Sequence, residues 1–315
     1  MKTFLKHRPA WLQLLVFAGL VMGVSIFGSL IGIFIISKIY SIPFSELGGT
    51  HLNDPRFVSA LKAIQVLSSL TLFLIPSLLF AFLSDKHPLK YIGFKNPVPL
   101  TFYAIAVVVI LASFPMVSWL SDVNQHLHLP KSMQGLEQMI RNTEEQNSNL
   151  IKSFLNMKSP ADLVVMLFII GVLPAIGEEL FFRGVVQRLF IQITKRPWVG
   201  IVVTAVIFSA AHFQFLGFFP RLALGIVLGA LYWYSGSLWP GIAAHFINNA
   251  LQVILIYTSP QIIEKEPDFS AGLIAFSTIA VVALTWWMHR ISQTSYADMY
   301  DTDEFHIGRR DEYPV

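Results

Sequence analysis

Three ionisable side chains stand within six residues of an otherwise apolar stretch, at Glu178, Glu179 and Arg183. Each charge at the centre of a membrane helix costs roughly 2.5–3.5 kcal/mol even on the lenient insertion scale, so the group needs a reason. Glu179 and Arg183 are four residues apart, lie on one helix face and can pair. Glu178 points about 140° away from Arg183 and stays free to act as a general base. The alternative for this stretch is a buried ion-pair network that holds helices together.

Two histidines and an asparagine lie in later apolar stretches. His212 comes four residues after Phe208, and His245 comes four residues before Asn249, so His245 and Asn249 can point at one spot. Asn248 lies about 60° off that direction and is a weaker candidate. A single histidine in an apolar helix is more often a hydrogen-bonded core residue. Two of them, on separate helices of a bundle with a buried carboxylate, favour a shared site.

The chemistry that these residue types support is the attack of water on an acyl group. A carboxylate base and preorganised donors at the developing negative charge both lower the barrier to that reaction. The sequence has no cysteine, no HExxH pair and no GxSxG elbow. A thiol nucleophile, a disulfide framework and a cysteine metal site are therefore excluded, and the usual signatures of soluble zinc proteases and of serine hydrolases are absent.

The composition is that of a membrane protein. Of the 315 residues, 54% are hydrophobic and 13% are charged, against about 25% charged in soluble domains. About 20 apolar residues span a bilayer core of about 30 Å as a helix, and eight stretches fit this description. The predicted spans are 11–36, 61–83, 100–120, 163–190, 198–219, 222–238, 240–258 and 270–288. The first is too long for the core of a cleavable signal peptide, so we expect it to remain in the mature protein.

Basic residues cluster in some of the breaks between spans and acidic residues in another. The basic ones are Lys2, Lys6, Arg8, Lys86, Lys90, Lys95, Lys195 and Arg196, whereas Glu264, Glu266 and Asp268 follow the seventh span. Short loops rich in lysine and arginine stay cytoplasmic. The sequence therefore predicts an all-α, polytopic bundle of about eight spanning helices with both termini in the cytoplasm. The net charge of +3 needs no nucleic-acid partner.

Residues 1–315 are expected to form a single integral membrane domain, because no soluble segment is long enough to fold alone. Residues 121–160 have apolar residues at helical spacings between charges, which predicts an amphipathic helix or helix pair on the outer membrane surface. A gate or a substrate-docking element is the alternative for that segment. The tail over 291–315 is polar and acidic, and we expect little fixed structure there.

These residues together resemble a known family. The pair Glu178-Glu179 with Arg183, then Phe208 with His212, then His245 with Asn249, are similar to the three ordered motifs of the CPBP intramembrane proteases. That family includes type II CAAX prenyl endopeptidases and bacteriocin-processing or self-immunity (Abi) proteins. The resemblance covers a catalytic core of about 163–258. It implies an integral protein of the bacterial plasma membrane, although similarity to CAAX enzymes does not imply a CAAX substrate.

The resemblance also implies roles for the residues. In one mechanism Glu178 and His212 activate a water, His245 and Asn249 stabilise the oxyanion, and Glu179 with Arg183 supports them. In a second mechanism Glu178, His212 and His245 bind Zn²⁺, since two histidines and a carboxylate with an open water position form a recognised catalytic zinc set. Zinc or no cofactor at all both remain open.

Three functions follow from these observations. The first is an intramembrane endopeptidase that cleaves a hydrophobic, possibly prenylated, membrane-anchored peptide or protein in contact with membrane lipid. The second is a non-catalytic immunity or regulatory partner that uses the same buried network. The third is a proton-coupled transporter, since buried glutamate and histidine also form proton relays, although the internal repeat of many transporters is missing. The sequence does not indicate an oligomeric state.

Overall fold

A computed structural model describes residues 4–47, 52, 54–95, 97–263 and 268–300, with the backbone alone at 262 and 263. Within these residues the regular structure is entirely helical, as predicted, and no strand is present. We number eleven helices: α1 Ala10–Tyr40, α2 Pro55–Ser84, α3 Pro88–Tyr91, α4 Leu100–Gln125, α5 Gln134–Phe154, α6 Pro160–Thr194, α7 Pro197–Ala210, α8 Phe218–Ser235, α9 Leu238–Thr258, α10 Ala271–Ile291 and α11 Tyr296–Tyr300.

Seven of these helices are long and apolar enough to cross a membrane, namely α1, α2, α4, α6, α8, α9 and α10. The stretch predicted as a fifth span over 198–219 contains α7, which has only 14 residues. A helix of that length extends about 21 Å, which is less than the hydrocarbon core. α7 ends at Ala210, and the backbone of Phe213 then takes a left-handed φ of 51°. The chain therefore reverses inside the stretch that the sequence suggested was one span.

Polar side chains from other helices satisfy the backbone of this reversal. Asn124 at the end of α4 donates its amide to the Phe215 carbonyl at 3.0 Å and accepts from the Phe219 N–H at 2.8 Å. The Glu144 carboxylate of α5 accepts from the Leu216 N–H at 3.0 Å. Non-helical backbone at membrane depth requires partners from the protein. These bonds explain how so apolar a segment turns.

α6 lies at the centre of the bundle and packs against α1, α2, α7 and α9. It begins with a capping box formed by Ser159 and Asp162. Two stretches of wider π-helical turns interrupt it, at Leu167–Val172 and Glu179–Gln187. Single π turns inside α-helices frequently mark functional sites. The second stretch begins at one of the two adjacent carboxylates.

Apolar side chains cover much of the outer surface of the bundle. α1 is the least buried of the seven long helices, and Phe27, Ile31 and Ile39 on it are each more than half exposed. Soluble monomers rarely expose continuous apolar surfaces of this size. The exposed faces therefore suit contact with lipid, and the structure is that of an integral membrane protein.

The first and the last of the described residues lie at the same end of the bundle. The Leu5 N–H donates to the Leu83 carbonyl at 3.3 Å, and the Lys95 ammonium, a few residues after α3, donates to the Asp298 carbonyl at 3.1 Å. α5 lies at the opposite end, where Glu144 contacts the turn between α7 and α8. α5 is a single, mostly exposed helix of 21 residues within the segment for which the sequence predicts an amphipathic helix or helix pair.

The first part of the C-terminal tail is folded, which differs from the expectation of little fixed structure. Ser292 and Thr294 donate to the Tyr234 carbonyl at 2.8 and 3.2 Å, and Met299 and Tyr300 are buried. The tail is acidic overall, but these two apolar side chains pack into the bundle and hold α11 against it. The rest of the tail, 301–315, and the predicted topogenic residues Lys2, Glu264 and Glu266 lie outside the described residues.

Candidate active site

The two adjacent carboxylates of α6 have different surroundings. Glu179 is fully buried, and one of its oxygens, Oε1, lies 3.1 Å from the Arg183 guanidinium. This is the pair predicted from their spacing. Arg183 also donates to the Gly225 carbonyl at 3.1 Å and lies over the Phe208 ring at 4.8 Å. A buried charge needs an opposite charge and hydrogen bonds, and Arg183 has one of each in Glu179 and the Gly225 carbonyl.

His245 on α9 lies between the two carboxylates. Its Nδ1 is 3.0 Å from Glu179 Oε1, and its Nε2 is 3.9 Å from Glu178 Oε2. Since Glu179 pairs with Arg183 and is ionised, His245 Nδ1 must carry the hydrogen in the Glu179 contact. Nε2 is then the nitrogen that faces Glu178. Glu179 thus fixes both the orientation and the tautomer of this histidine.

Glu178 is 9% exposed, and its Oε2 lies 3.9 Å from His245 Nε2. Glu178 is therefore the carboxylate of the pair that a water can reach. Glu179 has no exposed surface and contacts Arg183 and His245 instead.

His212 lies in the turn just after α7, and its orientation is set by Phe208. The Phe208 carbonyl is 2.8 Å from His212 Nδ1, and because a carbonyl only accepts, Nδ1 carries the hydrogen. The Nε2 of His212 is then bare in the neutral ring. The Phe208 ring stands between the two histidines, with centroids 5.1 Å from His212 and 6.2 Å from His245.

Asn249 is held by a carbonyl that a proline leaves available. Pro174 has no N–H, so the Ile170 carbonyl four residues earlier receives no α-helical hydrogen bond from it. The Asn249 side-chain amide donates to that carbonyl at 2.9 Å. Pro174 thus leaves available the acceptor that anchors α9 to α6.

α9 begins at a buried position, where hydrogen bonds to the segment after α3 hold it. Leu238 and Ser237 are buried, the Leu238 N–H donates to the Gly93 carbonyl at 2.9 Å, and Ser237 donates to the Lys95 carbonyl at 2.8 Å. His245 is seven residues further along, about 10 Å. The offset start of α9 brings its imidazole level with the carboxylates near the middle of α6.

The structure thus brings the predicted residues together to different extents. Glu178, Glu179, Arg183 and His245 are joined by direct contacts. His212 is close enough to Glu178 and His245 for their charges to interact. Within the part of the chain that the structure describes, no hydrogen bond joins His212 or Asn249 directly to Glu178.

The donor chemistry of the proposed zinc ligands is suitable, because hydrogen bonds at Nδ1 leave Nε2 of both imidazoles available for a metal. Among the described residues, however, no group of three His, Asp or Glu side chains is placed to hold a metal ion. Glu178, His212 and His245 therefore do not form a zinc site in this arrangement. The steps proposed below use protein groups alone.

Glycines on α8 and α9 let the helices approach the site closely. The Gly225 and Gly229 carbonyls accept from Arg183 and Gln187 at 3.1 and 3.0 Å, and a Cβ at Gly241 would lie 3.1 Å from Glu179 Oε2. Sequence reasoning missed these positions. The GxxxG spacing of Gly225 and Gly229 in an apolar stretch is a recognised signal of close helix packing and could have found two of them.

Comparison with known proteins supports the resemblance drawn from the motifs. Residues 160–251 match the Rce1-like family of type II CAAX prenyl endopeptidases. The match runs from the start of α6 into α9 and contains all six predicted site residues. The Rce1-like segment therefore coincides with the part of the bundle that holds the buried polar network, and a CAAX-type intramembrane protease is the kind of function that it supports.

The chain is also similar to the uncharacterized protein YpbD of Bacillus subtilis (strain 168), with 26% identity over 152 residues. The aligned region is 47% of this chain and 63% of YpbD, so the chain spans less than two thirds of that relative. No solved structure matches.

Proposed function

We propose that this protein is an intramembrane endopeptidase that hydrolyses a peptide bond of a hydrophobic, membrane-associated substrate. The observation that carries the proposal is the placement of the Glu178 carboxylate opposite His245 Nε2, while Glu179 takes Nδ1 and Arg183. The Rce1-like match over the same residues supports it. The class of substrate, the identity of the membrane and the catalytic mechanism all belong to this proposal.

In the proposed reaction, Glu178 removes one proton from a water as the water oxygen bonds to the substrate carbonyl carbon. The carbonyl electron pair moves onto its oxygen. His212 Nε2 carries no hydrogen when Nδ1 donates to the Phe208 carbonyl. It accepts a hydrogen bond from the second O–H of the water and so orients the water, while that hydrogen stays on the water oxygen. When the oxyanion collapses, the C–N bond breaks, and Glu178 returns its proton to the leaving nitrogen.

His245 and Asn249 stabilise the oxyanion in this proposal. Since His245 Nδ1 donates to Glu179, donation from Nε2 as well requires the imidazolium form. That form suits the site, because the two carboxylates then balance one guanidinium and one imidazolium. The second hydrogen of the Asn249 amide nitrogen, which the Ile170 carbonyl does not take, is the donor available to the oxyanion.

We also propose that the protein lies in a bacterial plasma membrane with both termini in the cytoplasm. The reason is that one end of the bundle, where the first and last described residues lie, carries Lys6, Lys86, Lys90 and Lys195. The absence of cysteine makes this testable with single-cysteine variants. An impermeant maleimide should label Glu46→Cys in intact cells and should label Lys86→Cys only after lysis. The reverse pattern would invert the topology.

The enzyme assay uses purified protein in lipid nanodiscs with a quenched fluorogenic peptide, tested both farnesylated and unprenylated. We expect cleavage, and a decrease in kcat of at least about 100-fold for Glu178→Gln and for His212→Asn. Glu46→Gln, an exposed carboxylate remote from the site, is the matched control. Wild-type kcat in folded Glu178→Gln would contradict the role of Glu178 as the base.

A further inference from the structure

A groove lies between α4 and α9, next to the candidate site. Its volume is about 280 Å³. Apolar side chains such as Phe114 and Leu251 form most of its wall, and the amides of Asn248 and Gln252 lie on the α9 side. Since this groove lies along membrane-spanning helices, two carboxamides in its wall are more than lipid contact requires.

Asn248 connects this groove to the candidate oxyanion donor. The Ile170 carbonyl can only accept, so the nitrogen of the Asn249 amide faces it and the Asn249 oxygen is turned the other way. The Asn248 nitrogen donates to that oxygen at 3.0 Å. A residue in the wall of the groove is therefore hydrogen-bonded to the side chain that the proposed mechanism uses as an oxyanion donor.

A second, smaller opening continues the groove toward the outer end of the bundle. This opening has a volume of about 260 Å³, is lined by Lys152 and Tyr257 among others, and shares Ile256 with the groove. Lys152 belongs to α5, the amphipathic helix at the end opposite the termini. The two spaces together form a track along α9 from α5 to Asn248.

The chemistry of peptide cleavage in a membrane gives this track a purpose. A helical peptide has to be extended before water can reach one of its carbonyls, and extension leaves backbone N–H and C=O groups without partners. In hydrocarbon each such group costs several kcal/mol, so the protein has to supply hydrogen bonds. Asn248 and Gln252 can supply them, and the apolar wall can take the side chains.

We propose that the groove between α4 and α9 binds the substrate itself, as an extended apolar peptide that enters from the α5 end. This inference rests on the proposed peptidase function and adds the class of substrate. The peptide, rather than a prenyl chain, is the ligand of this groove. A prenyl chain has no use for the two carboxamides, and 280 Å³ suits a few residues of a peptide.

The test uses the absence of native cysteines. Gln252→Cys places one thiol in the groove, and Ile254→Cys places one on the exposed face of the same helix. Both are made in the Glu178→Gln background, so that peptide binds without turnover, and labelling by a membrane-permeable methanethiosulfonate is timed. The probe is a leucine-rich 12-residue peptide, with and without a farnesyl group.

We expect both forms of the probe to slow labelling of Gln252→Cys by about tenfold at saturation, with Ile254→Cys unchanged. In the active protein, Leu251→Trp should raise KM about tenfold with little change in kcat, because it fills the groove, and Ile254→Trp should change neither. Protection by the farnesylated form alone would overturn the proposal, because the groove would then bind the lipid chain.

The binding and cleavage arms separate this inference from the proposed function. Cleavage of the probe without protection of Gln252→Cys refutes the groove and leaves the peptidase. Protection without cleavage by the wild-type protein refutes the peptidase and leaves a peptide-binding groove. Neither protection nor cleavage of the apolar probe refutes the substrate class proposed here.

Discussion

Glu179→Gln separates the two tasks that the structure gives to Glu179, neutralising Arg183 and holding His245. At the observed 3.1 Å and an effective dielectric constant of about 20, the attraction between Glu179 and Arg183 is about 5 kcal/mol. Removing one partner of a buried pair costs about 3–5 kcal/mol, because the remaining charge is left unpaired. We expect Glu179→Gln to lower the free energy of unfolding by this amount.

The measurement is thermal unfolding in detergent, followed by intrinsic tryptophan fluorescence, where this loss corresponds to a midpoint lower by about 5–8 °C for a chain of 315 residues. Glu137→Gln is the matched control, because Glu137 pairs with Arg141 at 2.9 Å with the same four-residue spacing, but the two side chains are 18% and 37% exposed. It should change the midpoint little. Equal midpoints for Glu179→Gln and the wild type would refute the ion-pair argument.

The double variant Glu179→Leu with Arg183→Leu tests the second task. Replacing both partners of a buried pair by apolar residues is often neutral or stabilising, so most of the stability should return. Peptide cleavage should not return, because His245 Nδ1 still lacks the carboxylate that fixes its tautomer. If cleavage recovers together with stability, Glu179 has no part in positioning His245.

Four further predictions follow from single contacts. Pro174→Ala gives residue 174 an N–H that competes with Asn249 for the Ile170 carbonyl, so kcat should fall about tenfold while the unfolding midpoint stays equal or rises; a parallel fall in both would contradict this. Gly241→Ala should cost about 1 kcal/mol of stability and reduce cleavage, since its Cβ lies 3.1 Å from Glu179 Oε2, whereas Gly19→Ala, with nothing within 4 Å, should do neither. Burial lowers the pKa of Lys95 from 10.5 to about 8, so between these two pH values the unfolded chain binds one more proton than the folded chain. Denaturant titrations should therefore show a free energy of unfolding that rises between about pH 8 and 10.5 in the wild type. This rise should be absent in Lys95→Met. Cleavage should survive chelation by 1,10-phenanthroline; loss that added Zn²⁺ reverses would favour the zinc mechanism instead.

Much of the local structure was predictable because it depends on neighbours in sequence. The pairing of Glu179 with Arg183 follows from their four-residue spacing, and it is present although this part of α6 has π-helical turns. The amphipathic pattern of α5 and the apolar runs of the seven long helices likewise gave helices near their observed positions. These features need no knowledge of which helices meet.

The parts that sequence reasoning missed depend on contacts between distant segments. The reversal after α7 was hidden because Phe213, Phe215 and Leu216 continue the apolar run, while the partners of its backbone, Asn124 and Glu144, lie far away in sequence. The acceptor of Asn249 was equally hidden. Its availability follows from Pro174, but only the packing of α9 against α6 places the amide beside it.

The tautomers of the two histidines are the part of the site that the structure adds to the motif. In both imidazoles Nδ1 donates a hydrogen bond, to the Glu179 carboxylate in His245 and to the Phe208 carbonyl in His212. Nε2 is then the ring nitrogen that remains available in each. The difference between them lies in the acceptor. In the proposed mechanism His245, beside a carboxylate, donates to the oxyanion, whereas His212, beside a neutral carbonyl, accepts a hydrogen bond from water.

In the proposed mechanism the two adjacent glutamates have different tasks, although one base would perform the chemistry. If Glu178 alone were present, Arg183 and His245 would lack the buried anion between them, and Glu178 would be drawn into pairing with one of them. Glu179 Oε1 lies 3.0 Å from His245 Nδ1 and 3.1 Å from the Arg183 guanidinium. It thereby leaves Glu178, 3.9 Å from His245 Nε2 and still partly reachable, as the carboxylate that can take a proton from water.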